Sequence, residues 1–533
     1  MGSHVTALLN ATYLRHAGPQ LTHYKLAGTV DPSCSTVDWT RRDSWFAVWR
    51  REATPPLTDA HDKPELDPEP EPEPEPAWAE EVQGDETSLL PYGKAVREEF
   101  FQFAPGTVYM NHGGYGATPR PVQQAMMKYT SQMEVQPTAW FGAHGYHTLI
   151  SATRAKLAAL VKANKTDLVF VDNASAGMNA VLRSLKWAAG DIVLIFGSVY
   201  PVIPNTATWL VRQYGVRALP VHVQYPITGP NDYVEPLKNA LGNLSATELR
   251  RLRLVCMDHI SSYPSVVLPV EELAAIVKAE TRSAAATDED VEGGNGALVF
   301  VDGAHALGQL HVDLRRFAAA GVDFFVMDGH KWLFSPHGSA LLWVAQSAQK
   351  LLIPDVISSD NAVGTTAFQE QFDYIGTRDY GPWCAMADAL AFRDNDLGGE
   401  EKIVSYLHSL ATWAAAMLSE RWQTESVAPA NMTAGLMTVR LPIPLSWSGA
   451  AQAACADAIA GPEGGLVQTF QTQLIPFPLP LDGVGPSLGW WARISAQVYL
   501  DRDDFLALAN HTLELASQCN GSATIGHQPG GQV

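Results

Sequence analysis

The run VDFFVMDGHKWLFSPHGSALLWV, from Val322 to Val344, decides the fold. Two apolar, strand-like stretches flank a turn that holds Asp328, His330 and Lys331. A lysine set between two segments that both read as buried must snorkel to water, pair with a carboxylate, or be used covalently. The choice among the three depends on what the rest of the chain brings to this turn.

Upstream of it, DLVFVDNAS, DIVLIFGSVY, RLRLVCMDHISS and ALVFVDGAHA repeat the pattern of DFFVMDGHKW: an apolar run ending in polar or small residues. Nearly continuous apolar strands separated by amphipathic segments predict an α/β protein with a mostly parallel sheet covered by helices on both faces. Ligands of such sheets gather at the carboxyl ends of the strands, where every one of these polar tails lies. Between two of the strands, TRSAAATDEDVEGGNG (Thr281 to Gly296) reads as a surface loop insertion. Beyond about Gln346 the alternation is lost, which predicts a second, smaller α+β domain.

The front of the chain is different. PEPEPEPEP, Pro68 to Pro76, cannot join a helix or a sheet, because alternate prolines lack donors and the glutamates repel. Residues 1–90 are therefore expected to form a poorly ordered extension with a Pro-Glu linker. A large domain with an N-terminal arm (91–350), a small C-terminal domain (351–525) and a tail (526–533) follow.

The net charge is −20 over 533 residues, but Thr58 to Thr87 holds twelve acidic residues against one lysine and so supplies −11 of it. This balance argues against a nucleic-acid or anionic-membrane partner. No apolar run reaches the length of a membrane span, and the N-terminal residues show no lysine- or arginine-led apolar run of a secretory signal. The five cysteines (Cys34, Cys256, Cys384, Cys455, Cys519) are far apart, with no CxxC pair and no metal-ligand spacing. They read as free thiols in a reducing compartment, so a cytoplasmic location is expected. Import into a mitochondrion or plastid through the arginine-bearing N-terminus is the alternative.

Three strand ends carry the candidate chemistry. Asn173 and Ser175 precede a helix with apolar positions Met178, Val181, Leu182 and Leu185. They suit either a plain N-cap or a phosphate site built from free N–H groups. Asp302 ends a buried strand and needs a cationic partner, unless it caps the next helix. Lys331 ends a later one. Taken jointly they match pyridoxal phosphate (PLP): its ring nitrogen wants a carboxylate, its aldehyde an amine, its phosphate N–H donors. Arg493, in a β-like stretch near the end, suits capture of a substrate carboxylate. No GxxxxGK[ST] or GxGxxG is present, which leaves nucleotide folds without support.

These segments resemble the class V aminotransferase family of fold-type I PLP enzymes. The resemblance is carried by YMNHGGYGATPRPV, VDNASAG, DHISSYPSVVLPVEEL, VDGAHALGQLHVDL, the Lys331 run, YIGTRDYGPW and RISAQVYL, in that order, from about Tyr109 to Leu500. Within the family the likeness is to plant L-cysteine desulfhydrases, fungal ergothioneine-pathway C–S lyases and isopenicillin N epimerase.

The resemblance implies that Lys331 forms the Schiff base with PLP, with His330 beside it. Asp302 would partner the pyridine nitrogen and His305 the ring oxygen. Ala174 and Ser175 would hold the phosphate, with Ser261 among the cofactor contacts. Thr377 would reach the phosphate across a homodimer interface. Tyr200 matches an active-site tyrosine, Arg493 the carboxylate-binding arginine, and Asn111, His112 and Gly113 a substrate loop. Ser175 stands where a threonine is more usual. The implied activity is C–S lysis of cysteine or an S-substituted cysteine. Epimerisation of the isopenicillin N type and hercynylcysteine sulfoxide lysis are the alternatives. A non-catalytic structural subunit is a further one, against which the intact Lys331 and Asp302 argue.

Overall fold

The computed structural model describes residues 89–142, 145–285, 296–359, 367–461, 464–477 and 489–523. Two compact units divide the chain, Met1–Glu81 and Val82–Val533. The first unit, with the Pro-Glu linker and Cys34, lies outside the described residues, as do most of the glycine-rich insertion and the tail.

The second unit is built on a seven-stranded sheet. Its strands are β1 (Leu168–Val171), β2 (Ile192–Phe196), β3 (Arg217–Val221), β4 (Leu252–Asp258), β5 (Leu298–Asp302), β6 (Phe324–Asp328) and β7 (Ala340–Val344), in the order β1-β7-β6-β5-β4-β2-β3. The five quoted segments are β1, β2, β4, β5 and β6. Every residue of β1, β2, β6 and β7 is buried, as a sheet covered on both faces requires. Burying each such aliphatic or aromatic side chain stabilises by roughly 1.5–3 kcal/mol.

Two strands depart from the simple pattern. At the sheet edge, β3 is exposed at Arg217, Ala218 and Pro220, so it lacks the apolar signature of a central strand. In the interior, β7 runs antiparallel to both β6 and β1. The Lys331 turn is thus the connection of an antiparallel pair, and the lysine stays at the rim of the sheet.

A second, three-stranded antiparallel sheet has the order β8-β10-β9, with β8 at Leu436–Arg440, β9 at Gln473–Phe477 and β10 at Gly489–Ser495. The helices Glu400–Trp422 and Arg502–Ala523 share its core: Leu407, Ala411, Leu418, Phe505 and Leu508 cluster with Val439 and Ile494. Val96, Phe101 and Tyr109 of the N-terminal arm join the same cluster, as do Trp332 and Phe334, just after the lysine. The lysine turn therefore sits where the two cores meet. Among the described residues no helix is long and apolar enough to cross a membrane.

The cysteine reading needs a correction. Cys455, on the helix Gly449–Ala460, and Cys519, on Arg502–Ala523, form a disulfide (S–S 2.18 Å, Cα–Cα 5.5 Å) across 64 residues of sequence. Helix packing brings together two cysteines whose spacing carries no pairing signal. Cys256 and Cys384 are free and buried.

Candidate active site

Lys331 is positioned by its backbone. The Gly329 and His330 N–H groups donate to Ser339 O (3.0 and 3.2 Å), and Ser335 N–H donates to Gly329 O (3.1 Å), which laces the turn. Arg393 Nη1 donates to Trp332 O (2.9 Å). His112 lies fully buried behind the lysine, with Nε2 2.9 Å from Lys331 O and Nδ1 3.0 Å from the Tyr499 hydroxyl. A carbonyl only accepts, so Nε2 carries the proton and Nδ1 accepts from Tyr499. Burial holds the His112 imidazole at about 3, so it is a neutral strut.

The opening question has a geometric answer. Lys331 Nζ is 3.0 Å from Asp328 Oδ2, and the Asp328 Oδ1 accepts the Ala174 N–H at 2.7 Å. Lys278, which is buried, is satisfied differently: its Nζ meets Asp323 Oδ2 (2.7 Å) and Ala297 O (2.8 Å) within the core. Only Lys331 of the two opens on a cavity.

That cavity, about 180 Å³, lies at the carboxyl ends of the strands. Of the residues read from sequence, Ala174, Ser175, Tyr200, Asp302, His305, His330 and Lys331 line it. Asp302 Oδ1 accepts the Ala304 N–H (2.9 Å), while the other carboxylate oxygen has no protein donor among the described residues. Burial pushes its carboxyl up to about 6. His305 Nδ1 accepts the Trp332 indole N–H (3.3 Å), which leaves the proton on Nε2. Burial lowers His305 well below the usual imidazole range, so it too is neutral. Asn173 caps the helix Ala174–Ser184 by accepting the Ala176 N–H at 2.9 Å, while the Ala174 N–H is held by Asp328.

Arg493 is buried on β10. Its Nη1 donates to Ser262 Oγ (2.9 Å), its Nη2 to Asn111 Oδ1 (2.7 Å), and its guanidinium lies 4.5 Å over the Tyr263 ring. Its Nε is buried without a hydrogen-bond partner among the described residues. Ser262 lines the cavity, so Arg493 stands one residue behind the wall. Gly113 N–H donates to Ser495 Oγ (3.1 Å), and the next residues, Gly114 and Tyr115, reach the cavity.

Besides Arg493, Asn111, His112 and Gly113, which do not line the cavity, two more sequence-named residues are elsewhere. The Ser261 hydroxyl donates back into its own turn, to Pro264 O, while its neighbour Ser262 faces the cavity. Thr377 is exposed and pairs with the Tyr374 hydroxyl at 3.2 Å, outside the cavity of its own chain. Asp258, Ser262 and Asp328 belong to the site and carried no assignment. Their signal was present, since Asp258 and Asp328 end strands in DHISS and MDGHK.

A carboxylate oxygen of Asp302 and the His305 Nε2 without protein partners among the described residues, an amine and a helix N-terminus around one cavity are the set of groups that PLP requires. The fold and this set define a fold-type I PLP enzyme. The aminotransferase class-V family model matches residues 108–447, more than half of the chain, and the protein belongs to that family.

Among curated relatives, the chain is 28% identical over 444 residues to a putative L-cysteine desulfhydrase 2 of Oryza sativa subsp. japonica, covering 79% of this chain and 87% of that one. It is 29% identical over 459 residues to the L-cysteine desulfhydrase-like protein lolT1 of Epichloe uncinata, covering 79% and 95%. Of solved structures, a cystine C–S lyase in complex with its reaction product cysteine persulfide superposes with a TM-score of 0.58 at 20% identity, over 77% of this chain and 98% of that one; this likeness concerns the fold.

Proposed function

We propose that this protein is a PLP-dependent C–S lyase that cleaves L-cysteine or an S-substituted cysteine to a sulfur product, pyruvate and ammonia. The observation that carries the reading is the convergence of Lys331, Asp302 and His305 on one cavity beside the N-terminus of the helix Ala174–Ser184. The relatives named L-cysteine desulfhydrase support cysteine as the substrate class.

When bound, PLP supplies the electron sink for charge that develops at the substrate Cα. Lys331 would anchor it, and its Nζ would be the base that takes the substrate Cα proton. The open oxygen of Asp302 would hold the ring nitrogen, and His305 Nε2–H would donate to the ring oxygen. Ser175 and the helix end would hold the phosphate. Arg493, braced by Ser262, Asn111 and Tyr263, would bind the substrate carboxylate with a guanidinium that is already oriented. His112 holds the Lys331 carbonyl and so acts as a positioning residue, not as a substrate contact.

The fate of sulfur follows from the thiols. Burial pushes both Cys256 and Cys384 well above the usual thiol range, so neither is poised as a thiolate. Sulfur is therefore expected to leave with the product and not on an enzyme thiol. The loop ISSDNAVGTT contains no cysteine; its residues 360–366 lie outside the described part.

A homodimer completes the reading, with Thr377 contributed to the partner's phosphate site. Tyr200, Trp209 and Tyr214 are exposed, and a groove of about 580 Å³ lined by Tyr200 and Trp209 adjoins the cavity; both support an interface there. Light scattering at assay concentration tests it, and an active monomer refutes it. The main test is borohydride reduction of the holoprotein followed by peptide mass spectrometry, with sulfide and pyruvate assayed on L-cysteine. The cofactor mass is expected on Lys331; a label elsewhere refutes the assignment.

A further inference from the structure

Asp258 is a second carboxyl at the same end of the site. β4 and β5 are parallel neighbours, and Asp258 stands in register with Asp302, so the two side chains share a face of the sheet. Both line the cavity, at 2% and 4% exposure. Two ionised carboxylates this close and this dry repel each other, and each would need a cation. Among the described residues the cation that acts on them is Lys331, which lies 3.0 Å from a third carboxylate, Asp328; Arg493 stands behind the wall, on Ser262.

We propose that Asp258 is a positioning residue for the charge at the ring end of the site: it stays neutral, so that the pair carries a single negative charge and that charge rests on Asp302. A protonated PLP ring nitrogen would then meet one carboxylate and form a neutral pair. With both aspartates ionised, the pocket would keep an uncompensated charge.

The surroundings of the two carboxyls differ in the direction this requires. Asp302 receives the Ala304 N–H, a bond that favours its ionised form, and faces Lys331 across the cavity. Among the described residues Asp258 receives only the Ser198 hydroxyl, at a long 3.3 Å. Behind Ser198 stand Tyr225 and Tyr233, whose hydroxyls are 3.1 Å apart, and on its own strand stands the Cys256 thiol. None of these is a cation. Burial and the Asp302 carboxylate together push Asp258 well above the usual carboxylate range.

The role toward the cofactor rests on the PLP reading; the neutrality of Asp258 does not, and the two are tested apart. The first test uses apoprotein and the variant D258N. A carboxyl that keeps its proton in the fold and loses it on unfolding makes unfolding about tenfold easier per pH unit between its unfolded and folded values. The ratio of the wild-type unfolding constant to that of D258N is therefore expected to rise about tenfold per unit from pH 5 to pH 7. A flat ratio overturns the proposal. Should D258N not fold, wild-type apoprotein at pH 8 is expected to keep the infrared C=O band of a protonated carboxyl, and its absence overturns the proposal.

The second test measures the PLP dissociation constant by cofactor absorbance. D302N is expected to weaken binding roughly tenfold more than D258N, as loss of the charged member should. Equal or reversed losses place the charge on Asp258 and overturn the assignment. Failure of the PLP reading itself would show as no binding by wild-type protein, with the apoprotein pH slope still present.

Discussion

Acidifying the protein from pH 7 to pH 5 should loosen the support of Lys331, and His112 sets how much. Its folded value is held at about 3 by burial, against an ordinary value of 6.5. A group whose folded value is depressed leaves stability intact above its unfolded value and drains it as pH falls toward the folded one. At 1.36 kcal/mol per unit, the 1.5 units from 6.5 down to pH 5 cost about 2 kcal/mol, and full development near pH 3 costs about 4–5 kcal/mol. The variant His112→Gln removes the titration while keeping a polar side chain of similar size.

At pH 7 this variant should be less stable than wild type by roughly 1–3 kcal/mol, because the Tyr499 hydroxyl or the Lys331 carbonyl loses its partner. At pH 5 that gap should shrink by about 2 kcal/mol. Urea denaturation of the two apoproteins at pH 7, 6 and 5 measures it. His259, which burial lowers to about 4, and His305 titrate in both proteins and so cancel in the difference. A gap that stays constant with pH refutes the reasoning, since it would mean that His112 is charged or exposed in the fold.

Gly303→Ala should disturb the strand end that carries Asp302, because a Cβ there would stand 2.0 Å from Phe325 Cε1 and 2.8 Å from Val326 O. A loss of about 1–3 kcal/mol and weaker PLP binding are expected by denaturation and absorbance titration. Cys384→Ser should retain most sulfide release from L-cysteine; loss of sulfide with cofactor and substrate binding intact would identify Cys384 as a sulfur acceptor. Cys455→Ser should cost about 2–4 kcal/mol under oxidising conditions, given the 64-residue separation that the bridge closes, and nothing after reduction of the wild type. Truncation after Glu86 should leave turnover per bound PLP nearly unchanged, and a large loss would mean that the extension serves the site.

Much of the site was legible because local pattern carries it. A buried strand with a polar carboxyl end is a statement about neighbouring residues, and Asp302, His305, Ser175 and Lys331 all follow such strands. The same rule reaches Asp258 and Asp328, which ended strands in full view. Which of these carboxylates meets the lysine and which pairs across the sheet depends on strand order, which no strand records by itself. Ser261 and Ser262 show the limit of the local rule. Adjacent serines are equivalent in composition, and only the path of the turn decides which one faces the cavity.

The sequence by itself determined the α/β class, the strand-end location of the chemistry and the family, since periodicity and short motifs encode these within a few residues. Tertiary structure alone decided what lies far apart along the chain. His112 is 219 residues from the carbonyl it holds, and Asn111 is 382 from Arg493. Cys455 and Cys519 meet only because two helices pack. The strand order and the antiparallel β7 likewise place Lys331 at the rim where the two cores meet. Such contacts form when a whole core closes and excludes water, so their energy belongs to many side chains at once and no local stretch of sequence records it.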